Sequence, residues 1–579
     1  MLRAALALAV CLLACWPALA AEANRVAQYT VVLDAPAAGR RLSMARGKVP
    51  GRAPARVSAA SLATVARAVA ATQEPVVAAL QVEGATILGA VQNVLNAVFV
   101  RATAEQARAF ESIPGVRSVT PSLDLELNLD GVAEVVGLNS ANLRPAGLAA
   151  TGEGVKIAII DSGLDFLHPA FQDDSLPALS GYPKGRPEHL AFASGKIVAV
   201  RSYMQLQNSG DPVDSAPDDN SPVDFSGHGT AVAMVAAGKR VESPAGALEG
   251  IAPRAYLGVY KVTGTPGIKP TASSQALIAA IDDAVVDGMD ILNLSIGQVA
   301  THPWNSYGSD CGNFPGNNCD PLAVAAQSAV VDFGRVVVAA AGNSGQVGGQ
   351  SSPTRNTISS PAVAPDVIAV AATANSRRFE QSVQLGGSSF AALTGSGPGL
   401  AASLTAPAVP AERFQNPHAC DPFPVDGLSG SIVVAERGGG CWFVDKVEHA
   451  TSAGAVGVVV FDNGPPAALL EMGALQDTDI PAYFISASAG AALSLRLSGI
   501  PAGTTARLTL DPTPTPHLTD STQVAGFSSR GPTPGLNLKP DVAAPGVSVY
   551  TADTWLDARP NGFNPSGYRQ VQGTSLAAP

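Results

Sequence analysis

Three polar residues lie in short motifs from which a hydrolytic site could be built. Asp161 ends the apolar run IAIID, His228 lies between two glycines in SGHGTAVAMVAAG, and Ser575 follows Gly-Thr in QGTSLAAP. A serine hydroxyl needs a base to take its proton during attack, and imidazole suits this because its pKa lies near neutral pH. A carboxylate then holds the tautomer of the ring and stabilises the imidazolium. Together the three residues predict nucleophilic catalysis through an acyl-enzyme.

Each of these motifs also has a structural explanation when it is taken alone. An aspartate after a strand commonly begins a turn, and a serine commonly starts a helix. The histidine could be a hydrogen-bonded structural residue. Thr230, two residues after His228, is expected to cap the helix that follows. The catalytic interpretation therefore depends on the occurrence of all three motifs in one chain.

A fourth motif, VVVAAAGNSG, ends an apolar run with Asn343. Acyl transfer passes through a tetrahedral intermediate whose oxyanion needs preorganised hydrogen-bond donors. The side-chain amide of Asn343 and the backbone N–H of Ser575 are predicted to be these donors. The structural alternative is an Asn-Gly-rich turn after a strand.

The elements around these motifs alternate between apolar strands and amphipathic helices. The runs VKIAIID, KIVAVRS, AYLGVYKV, DILNLSI, VVVAAAG and DVIAVAA are nearly continuous, as is typical of strands buried on both faces of a parallel sheet. Helical stretches such as SSQALIAAIDDAVVDG and PLAVAAQSAVVDFG separate several of them. We therefore predict an α/β fold with a doubly wound, mostly parallel sheet, whose strand ends carry the functional groups.

The totals describe a globular protein with an export signal. The 579 residues include 36 Lys and Arg against 47 Asp and Glu, a net charge of −11, which argues against nucleic acid as a partner. Residues 1–20 join Arg3, an apolar run and Ala-Leu-Ala, which predicts a signal peptide and secretion. A lipid anchor at Cys15 is a less favoured alternative. No later stretch is long and apolar enough for a transmembrane anchor.

The four cysteines beyond the signal region form two local pairs. An even number in an exported chain predicts disulfides, here Cys311 with Cys319 and Cys420 with Cys441. Each bridge would close a short loop and stabilise local structure. A zinc site is disfavoured because no further ligand follows at the required spacing.

The segments IAIIDSGLDFLHP, GHGT, AAAGNSG and GTSLAAP resemble, in order, the motifs of the subtilisin-like serine proteases. The order Asp, His, Ser is that of subtilisin and differs from that of the α/β-hydrolases, which disfavours a lipase or esterase. The resemblance implies that Asp161, His228 and Ser575 form a catalytic triad, with Asn343 in the oxyanion hole. Leu576 stands where many relatives carry methionine.

The resemblance also implies a substrate cleft that binds protein or peptide substrates as an added β-strand. Gly297 and Gly342 are expected to permit close approach of the substrate backbone. The segments that would form the walls of the cleft are Leu294, Ser295, Ile296 and Gly297 on one side and Ala341 and Gly342 on the other.

Three further units complete the predicted organisation. In residues 21–127 strand patterns alternate with helical sequence, including a helix expected at about 59–80, which predicts a small α+β unit. This unit resembles the family's inhibitory propeptide, so that the protein's own propeptide is an expected partner. Residues 379–512 resemble a β-rich protease-associated domain inserted between catalytic segments 128–378 and 513–579. The alternative for the insert is a structural spacer. The sequence PTPTP at 512–516 is expected to be a stiff, extended linker.

The resemblance leaves two features open. No cofactor is needed for the chemistry and no metal-binding residues are predicted, although structural calcium is frequent in the family and the acidic segment 211–224 is one candidate, with a solvated loop as the alternative. The chain ends four residues after Ser575, where relatives continue with a helix. We therefore expect a truncated chain of unassigned activity. The alternative function is a catalytically silent scaffold that binds through the insert.

Overall fold

The computed structural model describes residues 26–46, 58–122, 124–127, 151–208, 219–265, 271–299, 320–346, 354–395, 397–464, 469–470, 472, 475, 478–499, 505–555 and 566–579. The predicted signal peptide, Cys15 and the pair Cys311 and Cys319 lie outside these ranges.

The N-terminal unit is a four-stranded antiparallel sheet covered by helices, in the order β2-β3-β1-β4. Its core includes Val31, Val98 and Phe110, all fully buried. This is the small α+β unit that the sequence predicts. The elements are β1 (Val26–Leu33), α1 (Ala38–Arg46), α2 (Ala59–Val82), β2 (Thr86–Val91), β3 (Ala97–Thr103), α3 (Ala104–Phe110) and β4 (Val116–Pro121).

The second unit is built on an eight-stranded sheet in which every pair of neighbouring strands is parallel, in the order β25-β17-β15-β13-β6-β11-β8-β7. The predicted doubly wound α/β fold is confirmed. Its strands are β6 (Lys156–Asp161), β7 (Lys184–Gly185), β8 (Ile197–Ser202), β11 (Tyr256–Lys261), β13 (Ile291–Leu294), β15 (Val336–Ala340), β17 (Ile368–Ala374) and β25 (Val542–Val547).

Helices cover both faces of this sheet, which explains the continuous apolar sequence of its strands. The helices are α4 (Met204–Asn208), α5 (His228–Ala237), α6 (Ser274–Val286), α7 (Pro321–Val331) and α10 (Thr574–Ala577). On β6, Ile157 and Ile159 pack into the cluster that contains α5, whereas Ala158 and Ile160 pack into the cluster that contains α6 and α7. Each fully buried aliphatic side chain contributes about 1.5–3 kcal/mol to stability.

Smaller sheets accompany the eight-stranded sheet. One four-stranded sheet has the order β12 (Ala272–Ser273), β5 (Asp124–Leu127), β14 (Ile296–Val299) and β16 (Ser359–Ser360). It joins the end of the N-terminal unit to the larger unit. Two antiparallel pairs of strands are also present: β9 (Val241–Ser243) with β10 (Gly246–Leu248), and β26 (Val549–Ala552) with β27 (Tyr568–Val571).

In its described residues the insert is a closed seven-stranded barrel, as its β-rich sequence predicts, and helices accompany it. The bridge Cys420–Cys441 is present with an S–S distance of 2.07 Å. The elements of the barrel are β18 (Arg377–Leu385), β19 (Ser388–Thr394), β20 (Leu404–Pro410), β21 (Ile432–Glu436), α8 (Phe443–Ser452), β22 (Gly457–Phe461), β23 (Ala482–Ile485), α9 (Ala487–Ser498) and β24 (Arg507–Leu518).

The proline-rich segment at 512–516 differs from its predicted role as a linker. It is extended, but it belongs to β24, and its last two residues pair with β18, with Phe379 opposite Pro516 and Glu380 opposite Thr515. β20 pairs with β24 only over residues 507–510 of β24. The alternating prolines lie beyond this range, where the edge of β24 that faces β20 forms no backbone hydrogen bonds with β20. Proline is tolerated in a strand at such an edge because its missing N–H is not needed there.

Candidate active site

Asp161 and His228 are brought together by a strand end and a helix start. Asp161 is the last residue of β6, and His228 is the first residue of α5. The Nδ1 atom of His228 lies 2.5 Å from Oδ1 of Asp161, and both side chains are fully buried. The preceding Gly227 has a φ of +83°, a left-handed conformation that favours glycine and turns the chain into the helix. The carboxylate is therefore placed to fix the imidazole with Nδ1 as the donor.

Ser575 lies in α10 and is fully buried. Its hydroxyl donates to the carbonyl oxygen of Ser295 over 2.6 Å, and the hydroxyl of Ser295 donates to the carbonyl oxygen of Ser575 over 2.5 Å. The side-chain amide of Asn293 donates to the Ser295 hydroxyl over 2.8 Å. Ser295 lies between β13 and β14. Its two hydrogen bonds with Ser575 therefore hold the start of α10 at the carboxyl end of a central strand.

Asn343 faces the same helix start from the loop after β15. Its Oδ1 accepts hydrogen bonds from the backbone N–H of Thr574 over 3.0 Å and from the Thr574 hydroxyl over 2.9 Å. Since both partners are donors, they assign the oxygen of the amide to this side and direct the NH2 group the other way. Asn343 is half-buried. Its NH2 group can therefore act as an oxyanion donor beside Ser575.

The predicted cleft segments lie on either side of this start of α10. Leu294, Ser295, Ile296 and Gly297 run from β13 into β14, and Ala341 and Gly342 follow β15. A Cβ at Gly297 would lie 2.8 Å from Cβ of Ser359, and one at Gly342 would lie 2.1 Å from its Oγ. The lack of a side chain at both glycines therefore leaves room for Ser359 of β16. The sequence alone does not reveal this reason for glycine.

The segment β5 runs along one of these predicted cleft segments. It pairs antiparallel with β14, with Gly297 opposite Glu126 and Ile296 opposite Leu127, and on its other side it pairs with β12. Leu125 is 1% exposed and joins the core of the larger unit. A segment of the N-terminal unit therefore occupies the position of an added strand at β14.

A second contact holds the N-terminal unit against α6. The carboxylate of Asp282 accepts from the backbone N–H of Asn93 over 3.0 Å, from the Asn93 side-chain amide over 2.8 Å, and from the backbone N–H of Val94 over 2.8 Å. Burial raises the pKa of Asp282 to about 6 and outweighs the opposing effect of these donors. Sequence analysis missed this residue, because an aspartate in an amphipathic helix has no local signal of burial.

Sequence analysis also missed Asp224 and misassigned Thr230. The N-cap of α5 is Gly227 without a side-chain bond. The Thr230 hydroxyl instead donates to Oδ2 of Asp224 over 2.7 Å. Asp224 belongs to the acidic segment named as a calcium candidate, of which residues 209–218 lie outside the described ranges. In the part of the chain that the structure describes, no three His, Cys, Asp or Glu side chains are grouped so as to hold a metal ion. No ligand set for calcium is assigned.

Within those same described ranges, no helix has both the length and the hydropathy to cross a bilayer.

The sequence is similar to those of known proteins over most of its length. The chain is 30% identical over 517 residues to a protein of Arabidopsis thaliana named CO(2)-response secreted protease, covering 83% of this chain and 61% of the relative. It is 30% identical over 466 residues to the minor extracellular protease Vpr of Bacillus subtilis (strain 168), covering 80% of this chain and 48% of the relative. The chain thus spans about half to three fifths of the length of these relatives.

Among solved structures, fervidolysin from Fervidobacterium pennivorans, described as a keratinolytic enzyme related to subtilisin, aligns with 96% of this chain and 53% of its own. The sequence identity is 16% and the TM-score is 0.38. Residues 152–579 match the sequence profile of the subtilase family. This match covers most of the chain, including β6, α5 and α10, and the chain belongs to the subtilase family.

Proposed function

We propose that the protein is a secreted serine endopeptidase. The observation that carries this proposal is the arrangement of four side chains at one edge of the sheet. The 2.5 Å contact between His228 and Asp161 and the pairing of Asn343 with Thr574 support the roles of base and oxyanion donor, and the helix that begins at His228 contacts α10. Ser575 lies at that helix start. The names of the relatives, a secreted and an extracellular protease, support both the reaction and the location.

In the proposed reaction the Ser575 oxygen attacks the carbonyl carbon of the scissile peptide bond while His228 takes the hydroxyl proton. Asp161 holds the ring and stabilises the imidazolium that forms. The oxyanion accepts hydrogen bonds from the Asn343 side chain and the Ser575 backbone N–H. Collapse of the intermediate breaks the C–N bond, and His228 returns the proton to the leaving amine. Water then attacks the acyl-enzyme by the same route and regenerates the serine.

Substrate is proposed to bind as an antiparallel strand along β14. The pairing of β5 with β14 supports this, because β5 forms a backbone ladder with Gly297 and Ile296 beside Ser575. A backbone ladder is indifferent to side chains, so it suits a protease acting on extended protein or peptide substrates. Ala341 and Gly342 are proposed to form the opposite wall.

The N-terminal unit is proposed to be an inhibitory propeptide. The position of β5 in the cleft and the three hydrogen bonds to Asp282 support this role, since a substrate strand at β14 requires the removal of β5. The barrel at 379–512 is proposed to be a protease-associated domain that acts on substrate access or on partners.

The test compares the full native protein with its Ser575→Ala variant. The native protein should release the N-terminal unit, hydrolyse an unfolded protein substrate and react covalently with a serine-directed phosphonate. The variant should do none of these while giving the same circular dichroism spectrum. A folded native protein that neither processes nor reacts with the phosphonate would exclude the protease function and favour a binding scaffold.

A further inference from the structure

Asp224 is a fully buried carboxylate in the loop that precedes α5. Its Oδ1 accepts from the backbone N–H groups of Ser226 and Gly227 and from the Ser162 hydroxyl, each over 2.9 Å. Its Oδ2 accepts from the backbone N–H of Thr230 over 2.9 Å and from the Thr230 hydroxyl over 2.7 Å. An ionised carboxylate is acceptor-only and offers about four lone-pair sites, so these donors fill it.

The partners of Asp224 connect the two segments that carry the proposed acid and base. The Ser162 hydroxyl, next in sequence to Asp161, also accepts from the backbone N–H of Gly229 over 2.8 Å. Both neighbours of His228 in the chain are therefore tied to the end of β6, Gly227 through Asp224 and Gly229 through Ser162.

The Thr230 hydroxyl extends this network to a third segment. Besides donating to Asp224, it accepts from the backbone N–H of Asp165 over 2.9 Å. The turn after β6 and the first turn of α5 thus share a single network with the carboxylate at its centre.

We propose that Asp224 is the positioning residue that sets the separation between Asp161 and His228. This inference rests on the proposed function. The hydrogen bond between Asp161 and His228 joins side chains on two separate backbone segments, so its length depends on how those segments are held. Bonds to an ionised acceptor are stronger than neutral ones, and the N-terminus of α5 favours a negative charge at this place. The fixed carboxylate therefore holds the backbone on both sides of the histidine.

The Asp224→Asn variant of the full native protein tests this role. An amide has one acceptor oxygen, and its NH2 group would face donors that now meet a carboxylate oxygen. Displacement of a catalytic group by about 1 Å costs roughly 100-fold in rate, so we expect kcat to fall by about 10- to 100-fold. KM should change by less than about twofold, because the substrate strand does not contact this network.

Two further measurements separate positioning from a general effect on folding. The acid limb of the pH profile of kcat/KM should move to lower pH, because the loss of a nearby negative charge disfavours the imidazolium. The low-field proton resonance of the His228 Nδ1–H group should shift or broaden. Asp520→Asn is the matched control: Asp520 also accepts from a threonine N–H and hydroxyl, but it is fully exposed and lies outside this network. It should leave all three readouts unchanged.

A second pair of variants keeps the proposal testable if Asp224→Asn fails to fold. Thr230→Val removes the hydroxyl at nearly constant shape and should lower kcat, whereas Thr230→Ser keeps the hydroxyl and should restore it. Equal kcat in the two variants overturns the proposal, as does a folded Asp224→Asn protein with native kcat and pH profile. If instead the native protein is inactive and does not react with the phosphonate, the proposed function itself is wrong.

Discussion

Ser295 and Ser575 exchange hydrogen bonds, each hydroxyl donating to the backbone carbonyl of the other residue over 2.5–2.6 Å. A hydroxyl has a single proton, so the proton of the proposed nucleophile points to Ser295 in this arrangement. Attack on a substrate requires the hydroxyl to rotate towards His228. With β5 paired to the adjacent β14, the structure corresponds to a form in which the nucleophile is engaged within the protein itself.

Ser295→Ala should lower kcat by roughly tenfold. The variant leaves the buried Ser575 carbonyl without its donor, a loss of about 1–2 kcal/mol, and loosens the backbone that carries the nucleophile. Steady-state hydrolysis of a peptide substrate measures the effect. Ser175→Ala, which changes an exposed serine bonded to Asp173, should behave as the native protein. A native kcat for Ser295→Ala would show that the bond does not hold the nucleophile.

Asn343→Ala should lower kcat by about 10²–10³-fold with little change in KM, because the lost NH2 donor serves the oxyanion and not the ground state. Thr574→Val should have a smaller effect of the same kind, since it removes one of the two donors that orient the Asn343 amide. Thr574→Ser retains the hydroxyl and serves as the control. If Asn343→Ala raised KM with kcat unchanged, the side chain would bind substrate and would not serve the oxyanion.

Gly342→Ala should destabilise the protein by about 2 kcal/mol through its backbone conformation and crowd the buried Ser359 as well. The φ of Gly342 is +106°, and an added Cβ would lie 2.1 Å from Oγ of Ser359. Urea unfolding in a Ser575→Ala background measures the change without self-digestion. Gly154→Ala is the matched control, because its φ is +81° and nothing lies within 4 Å of the added Cβ. Equal losses in the two variants would leave no role for crowding at Gly342.

The docking of the N-terminal unit on α6 should weaken as pH rises through 6. Burial raises the pKa of Asp282 to about 6, so the docked state binds a proton more tightly than the undocked state. Its stability therefore falls with rising pH between the ordinary carboxyl pKa and 6, by about 3 kcal/mol at most.

Thermal unfolding of the Ser575→Ala protein at pH 4.5 and pH 7.5 tests this pH dependence. The Tm of the parent minus the Tm of an Asp282→Asn variant should be smaller at pH 7.5 than at pH 4.5. A difference in Tm that is independent of pH would contradict the assignment.

The strands of the parallel sheet could be predicted closely because strands buried on both faces have nearly continuous apolar sequences. VKIAIID predicts a strand at 155–161, and β6 covers Lys156–Asp161. A helix expected at about 59–80 is observed at Ala59–Val82. Strand order and register have no such local sequence signal, because the paired strands are distant in sequence. The pairing of Thr515 and Pro516 with β18 depends on Glu380 and Phe379, more than 100 residues earlier.

The candidate site was predictable only where its residues lie in recognisable motifs. Asp161 ends a strand, Asn343 follows a strand, and His228 and Ser575 lie at helix starts, so that position and residue type together suggest roles. Asp224 has no such pattern: it lies in an acidic segment, and its donors come from residue 162 and from residues 226–230. In a sequence, a carboxylate that is buried and bound mostly by backbone N–H groups looks the same as a solvated one. The two can be told apart only when the fold is known.

The barrel enters and leaves the larger unit at one paired position, where Arg377 lies opposite Leu518. Neighbouring strands are about 5 Å apart, so excision of everything between these residues leaves two ends that a short turn can rejoin. Just outside the junction, the N–H of Ala374 donates to the carbonyl of Gln523 over 2.8 Å, within the larger unit. The barrel is thus joined to the larger unit through two chain segments that lie side by side, so its insertion requires no gap in the sheet that carries the candidate active site.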